Sequence, residues 1–207
     1  MTHGVHAVQH EVEHEIEHGG GSGGHNLLDS INKRVALLIG VMAVFLAFSE
    51  TLGKSAQTGA ISYNIEAANL WGFFQAKNIR RTVVLTAAEE MAINVPAAPD
   101  AIKTSMTKQI EGWQKTAARY HSEPEVQEGT VELAERAKLA EKKRDTALAR
   151  YHHYEMASAA IQIGIVLASA TIITGMIVLT WIAIGLGGIG VLFMAIGLFA
   201  PHAVHMF

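Results

Sequence analysis

Hydrophobic and polar positions along this chain fall into blocks whose lengths predict a membrane protein. From Met156 to Phe207 there is no Asp, Glu, Lys or Arg, and the apolar run from Ala157 to Ala200 would be about 66 Å long as a helix. A hydrocarbon core roughly 30 Å thick takes about 20 helical residues per pass and no unpaired backbone, so the run predicts two crossings. The expected second span is Ala157 to Leu179 and the third Ile182 to Ala200, with a tight return at Thr180-Trp181, where an indole suits headgroup depth. An earlier apolar block, about Val35 to Leu52, is entered by Asn32-Lys33-Arg34 and left through Ser49-Glu50-Thr51, and predicts the first span. At the end of that block Glu50 reads as a solvated edge residue rather than an intramembrane ion or proton site.

Between Gly53 and Glu155 the period changes to steps of four and three, the signature of a helical seam. Ala56, Ala60, Tyr63, Ala67, Leu70, Phe74, Val84, Ala88 and Met91 carry it, with Lys77 and Arg81 in the same register. Pro96 and Pro99 must end that helix, since neither ring has an amide proton to donate. Asp100 is expected to cap a second helix with the stripe Ile102, Met106, Ile110, Trp113, Ala117 and Tyr120. Ser122 with Glu125 around Pro124 has the spacing of a capping box and predicts the start of a third. Its seam is Val126, Thr130, Leu133, Ala137, Ala140, Arg144, Ala147, Tyr151 and Tyr154, and it runs into the second span without a breaker. The small seam residues imply close backbone approach, with Trp71, Phe74, Trp113 and Tyr151 contributing to the packing. The expected fold is therefore all-α: three transmembrane helices with a helical hairpin or three-helix bundle inserted between the first and second. Its parts are residues 1–26, a His- and Glu-rich tail with a Gly-rich tether; 27–52, the first span with its lead-in; 53–156, the insert; and 157–207, the last two spans.

Composition narrows the function. A formal net charge of -3 argues against general affinity for nucleic acid, which needs a basic surface to displace counterions. With no cysteine the chain has no disulfide framework, thiolate metal site or cysteine nucleophile. There is no P-loop and no plausible nucleophile and base pair, so no catalytic residue, cofactor or enzymatic activity is expected. Gly185-Leu-Gly187-Gly188-Ile-Gly190 has the spacing of a nucleotide-binding string, but without a preceding strand its glycines read as packing notches between spans. In the second span Ala160, Gly164 and Ala168, four residues apart, predict a face for close helix packing. Gln162, the one long polar side chain in the last two spans, reads as interhelical glue.

The first 18 residues carry His3, His6, His10, His14 and His18 at spacings of three or four, which a helix would place on one face opposite Val5, Val8, Val12 and Ile16. Neutral imidazoles one turn apart can share a divalent metal, and His6, His10, His14 and His18 are the candidate ligands. Carboxylate-bridged sites in bundles draw their Glu-x-x-His pairs from separate helices, whereas Glu11 with His14 and Glu15 with His18 lie on one tail. A pH-responsive or merely solvated face competes with the metal reading. His152, His153 and Glu155 form a second, juxtamembrane group that could add a metal or headgroup contact.

Ile31-Asn32-Lys33, then Glu66-Ala67 followed by Trp71-x-Phe73-Phe74-Gln75-Ala76-Lys77-x-Ile79, then Gln162-Ile163-x-Ile165-x-Leu167-Ala168-Ser169 resemble a bacterial family called domain of unknown function 4337. The resemblance covers nearly the whole chain after the tether and implies a three-span bacterial membrane protein with a helical insert. It implies no activity, substrate or catalytic residue. The chain differs from the family pattern in lacking basic residues between its last two spans.

These features point to a non-catalytic membrane scaffold or accessory subunit, self-assembling or attached to a larger inner-membrane complex. The expected partners are the lipid bilayer and further copies or other membrane subunits. The alternatives are an oligomeric channel or ion-handling protein using Glu50 and Gln162, and a metal-binding module anchored by the spans. Lys33 and Arg34 before the first span, against Lys54 after it, favour a cytoplasmic N-terminus; Lys142, Lys143, Arg144 and Arg150 argue the other way.

Overall fold

The computed structural model describes residues 22–203, with side chains from residue 31. Four α-helices follow one another, α1 Ser22–Asn94, α2 Asp100–His121, α3 Thr130–Thr174 and α4 Ile177–Phe199, with a 3-10 turn at Val95–Ala97 between the first two. No strand occurs among the described residues, and the chain is all-α. Three stretches, Ile31–Ala97, Thr130–Thr174 and Ile177–Phe199, are long and apolar enough to cross a membrane, with best-window mean hydropathies of 2.2, 2.0 and 2.4.

α1 runs on from the first apolar block to Asn94 because only isolated glycines interrupt it before Pro96. A glycine inside a helix costs roughly 1 kcal/mol relative to alanine, which does not outweigh the packing on either side. Gly53 is buried, its absent Cβ lying 3.6 Å from that of Tyr154. The prolines end the run as expected. Pro99 occupies the N-cap of α2 without a side-chain hydrogen bond, so Asp100 is the first helical residue rather than the cap. Its carboxylate pairs with Lys103 at 2.9 Å, where negative charge also suits the N-terminal end of the helix dipole.

Two boundaries differ from the sequence reading. Gln127 has φ 57°, a left-handed conformation that stops the single turn begun after Pro124, and α3 starts only at Thr130. Ser122 accordingly bonds not Glu125 but Glu132, at 2.6 Å. The second difference is the return between the last two apolar helices, which lies at Gly175-Met176 instead of Thr180-Trp181. Gly175 has φ +71°, and its amide donates to Thr171 O at 2.8 Å, the left-handed glycine ending that satisfies the last carbonyls of a helix. Thr180 Oγ1 lies inside α4 and donates to Thr171 Oγ1 at 3.2 Å.

The chain divides into two compact units. One comprises the part up to Glu50 and Met156–Met194; the other is Thr51–Glu155 with Ala195 onward. In the first, Val35, Ala168 and Ala183 form a buried cluster against Ile31, Ile39 and Leu167. In the second, Ala67 and Leu70 of α1 meet Leu133, Ala137 and Ala140 of α3, flanked by Trp71 and Phe74. Every seam position from Ala56 to Met91 is buried or half-buried, Lys77 and Arg81 included. Ile102 and Val126 are corrections: both stand exposed, so the α2 stripe begins at Met106 and the α3 seam at Thr130.

Candidate interaction surfaces

Within the first unit, helix contact is set by residues that lack side-chain bulk. Gly164 and Ala168 are buried and Ala160 half-buried. A Cβ on Gly164 would collide with Met42 Cε and stand 3.1 Å from Ala183 O, so here α3 meets the backbone of α4. Gly190 answers from α4: a Cβ there would lie 2.5 Å from Ile161 Cγ1 and 3.0 Å from Ala157 O. Gly187 faces Met42, whereas Gly185 and Gly188 have nothing within 4 Å, so the glycine-rich string is not uniformly a set of notches. Gln162 Nε2 donates to Glu50 Oε1 at 3.3 Å on the exposed side of this unit. The two residues had separate readings in the sequence, as an edge acid and an interhelical amide. No spacing rule connects positions so far apart.

In the second unit the α2–α3 connection is a compact polar knot. Glu132 takes the Ser122 hydroxyl and, at 3.3 Å, the Glu123 amide. These hydrogen bonds, that of Ser122 foremost, hold its carboxyl below the usual carboxylate range, while burial opposes them. Lys77 reaches up from the α1 seam to Glu128 at 3.4 Å and Glu123 at 3.6 Å, with its ammonium 6.0 Å from the Tyr120 ring centre. The seam thus accommodates a cation because the connection supplies carboxylates. Farther along, Trp71 Nε1 donates to Glu141 at 2.9 Å and its ring meets Phe74 edge-on at 5.4 Å. Arg144 reaches Asn64 at 3.4 Å, and the Lys143 ammonium sits 5.6 Å from the Tyr63 ring centre.

Beside the seam, α1 and α3 border a groove of about 450 Å³ whose walls include Ile65, Glu66 and Phe73 on one bank and Leu133 and Arg136 on the other. Sequence reading followed the seam and passed over this flank. Ile65 and Phe73, apolar but off the heptad register, were the available signal.

No group of three or more His, Cys, Asp or Glu able to hold a metal ion exists among the described residues. His152 Nδ1 lies 3.8 Å from Glu155, while the His153 ring nitrogen Nε2 is 3.1 Å from Pro201 O, so the two histidines serve different neighbours. The tail candidates His6, His10, His14 and His18 lie outside the described residues.

No curated protein and no solved structure matches the chain. The family model for the domain of unknown function DUF4337 matches residues 31–200, which takes in all three apolar stretches and the helices between them. The chain therefore belongs to the DUF4337 family.

Proposed function

We propose that this protein is a non-catalytic integral membrane scaffold or accessory subunit of the bacterial inner membrane, with its N-terminus on the cytoplasmic side. One observation carries the reading. Beyond the apolar block that ends near Leu52, α1 still presents Ile61, Ile65, Phe73 and Val83 at 57%, 56%, 62% and 61% exposure. Large side chains at those exposures on one flank of a helix make a patch of the kind that binds other proteins, since leaving it in water forgoes roughly 25 cal/mol for each Å². Lys33 and Arg34 ahead of the first span support the orientation. The test is the mass of the detergent-extracted particle together with the identity of each component. Several copies of this chain, or this chain with other subunits, is the expected result; a lone single chain would contradict it.

The Glu50–Gln162 hydrogen bond favours a second reading, an oligomeric ion-handling protein. A carboxylate and an amide joined on the exposed side of apolar helices are the groups that would meet water or an ion in a shared pathway. Cation flux into vesicles holding the purified protein, abolished by Glu50→Gln, is what that reading requires. No flux would leave the pair as a polar contact between helices.

A further inference from the structure

α1 carries a second seam on the side that its own chain leaves bare. Between Ile61 and Val83 the seam used within the chain runs through Tyr63, Ala67, Leu70, Phe74, Lys77 and Arg81, all buried or half-buried. Half a helical turn away, within an arc of about 80°, fall Ile61, Ile65, Ala68, Gly72, Ala76, Ile79 and Val83. All seven are exposed, the four large ones at 57%, 56%, 64% and 61%. A Cβ added at Gly72 would meet nothing within 4 Å. Steps of four and three make this face a helix-packing seam rather than a scatter of apolar residues. Its profile is the same in both directions from Gly72: first an alanine, then an isoleucine, then a β-branched Ile61 or Val83, at equal spacings on either side. The charged residues of the stretch, Glu66, Lys77, Arg80 and Arg81, all lie outside the arc.

We infer that this face is covered by the same face of a second copy of this chain, the two α1 helices crossing at Gly72 about a two-fold axis. The inference rests on the self-assembling form of the scaffold reading and names its surface. Copies inserted the same way into one bilayer present α1 in the same direction, so a two-fold axis through the crossing sets each residue against its own equivalent. Any charge in the arc would then face its like, and the arc holds none. Two crossing helices are closest at the crossing and separate toward both ends, so they need least bulk at the centre and equal, greater bulk on either side. Gly72 supplies the first, and the alanines followed by Ile65 and Ile79, then Ile61 and Val83, supply the second. Against an unrelated helix the bulk on either side could be divided unequally between the partners; against a second copy each helix must carry the symmetry itself, as this one does. The four large side chains expose on the order of 100 Å² each. With the small residues between them, two copies bury about 1,000 Å², enough for a specific interface.

Gly72→Leu tests it in the full-length protein, because a Cβ at this position has open space in its own chain. In detergent the variant should keep the parent helix content and dissociate at tenfold or higher protein concentration than the parent. In this cysteine-free chain, Gly72→Cys and Ile65→Cys should each give disulfide-linked pairs of copies on oxidation in native membranes, and Asn78→Cys, exposed but outside the arc, should not. Parent-like association of Gly72→Leu would overturn the inference. So would a disulfide from position 72 to a different protein, or a linkage of Ile65→Cys to Ile79→Cys alone, which is the antiparallel pairing. Were Gly72→Leu to lose helix content, the cysteine pairs would decide by themselves. If the parent itself extracts as a single chain with no companion, the scaffold reading falls with the inference. If the parent assembles while Gly72→Leu associates as the parent does and Gly72→Cys forms no pair, the α1 face alone is wrong.

Discussion

Glu132 shows how one side chain can hold a connection that its neighbours would leave open. Its carboxylate takes the Ser122 hydroxyl at 2.6 Å and the Glu123 amide at 3.3 Å, and its pKa is lowered mainly by the first of these. A carboxyl whose folded pKa is depressed adds stability that is fully present above its unfolded pKa and is lost as the pH falls through the folded value. The thermal midpoint should therefore drop on acidification below the ordinary glutamate range, and Glu132→Gln should lessen that drop; the same acid dependence in both proteins would contradict the assignment. Gly129 is needed beside it, because a Cβ there would lie 2.6 Å from Glu123 N and Ser122 Cα and would strike the Glu132 carboxylate. Gly129→Ala should cost about 1 to 3 kcal/mol, read as a lower unfolding midpoint of the helical signal. Trp71→Ala, which removes both the Glu141 hydrogen bond and the edge contact with Phe74, should cost about 2 kcal/mol. An unchanged midpoint would show Trp71 to be outside the packing. Sequence spacing pointed to Ser122 as a capping residue but gave it the wrong acid. Glu125 sits at the usual distance for a helix beginning at Pro124, and only the left-handed turn at Gln127 moves the partner to Glu132.

Among the elements, periodic helices were legible and their ends were not. The α1 seam could be read position by position because burial follows the heptad, whatever residue type fills it. The end of α3 was misplaced because uninterrupted apolar sequence has no period contrast, and the signal that mattered was the single Thr174-Gly175 step. The groove was missed for a related reason: Ile65 and Phe73 belong to a flank, and a seam-based reading treats whatever lies off the seam as solvent-facing. The glycines of α4 give a contrast of sign. Gly190→Ala should destabilise by about 1 to 3 kcal/mol, since its Cβ would press on Ile161 and on the backbone oxygen of Ala157. Gly185→Ala and Gly188→Ala meet open space and should be neutral or stabilising by up to about 1 kcal/mol through helix propensity. Gly164→Leu should be worse than any of these, because Met42 can yield but Ala183 O cannot. Thermal unfolding of the four variants in detergent decides the matter, and equal effects at 185, 188 and 190 would contradict the packing described.

At the scale of the whole molecule, membership of the DUF4337 family and an all-α chain with three apolar helices long enough to span agree with what charge-free blocks and resemblance imply. Function was less legible, because the proposed scaffold role would be spread over a surface and would leave no local motif. The central claim is that the chain crosses the membrane three times, with residues 53–156 on the side opposite its N-terminus. Single cysteines in this cysteine-free chain, at Ser22, Ser105 and Met176, labelled from each face of sealed vesicles with a membrane-impermeant reagent, test it most directly. The account predicts that positions 22 and 176 label from one face and position 105 from the other; labelling of positions 22 and 105 from the same face would contradict it.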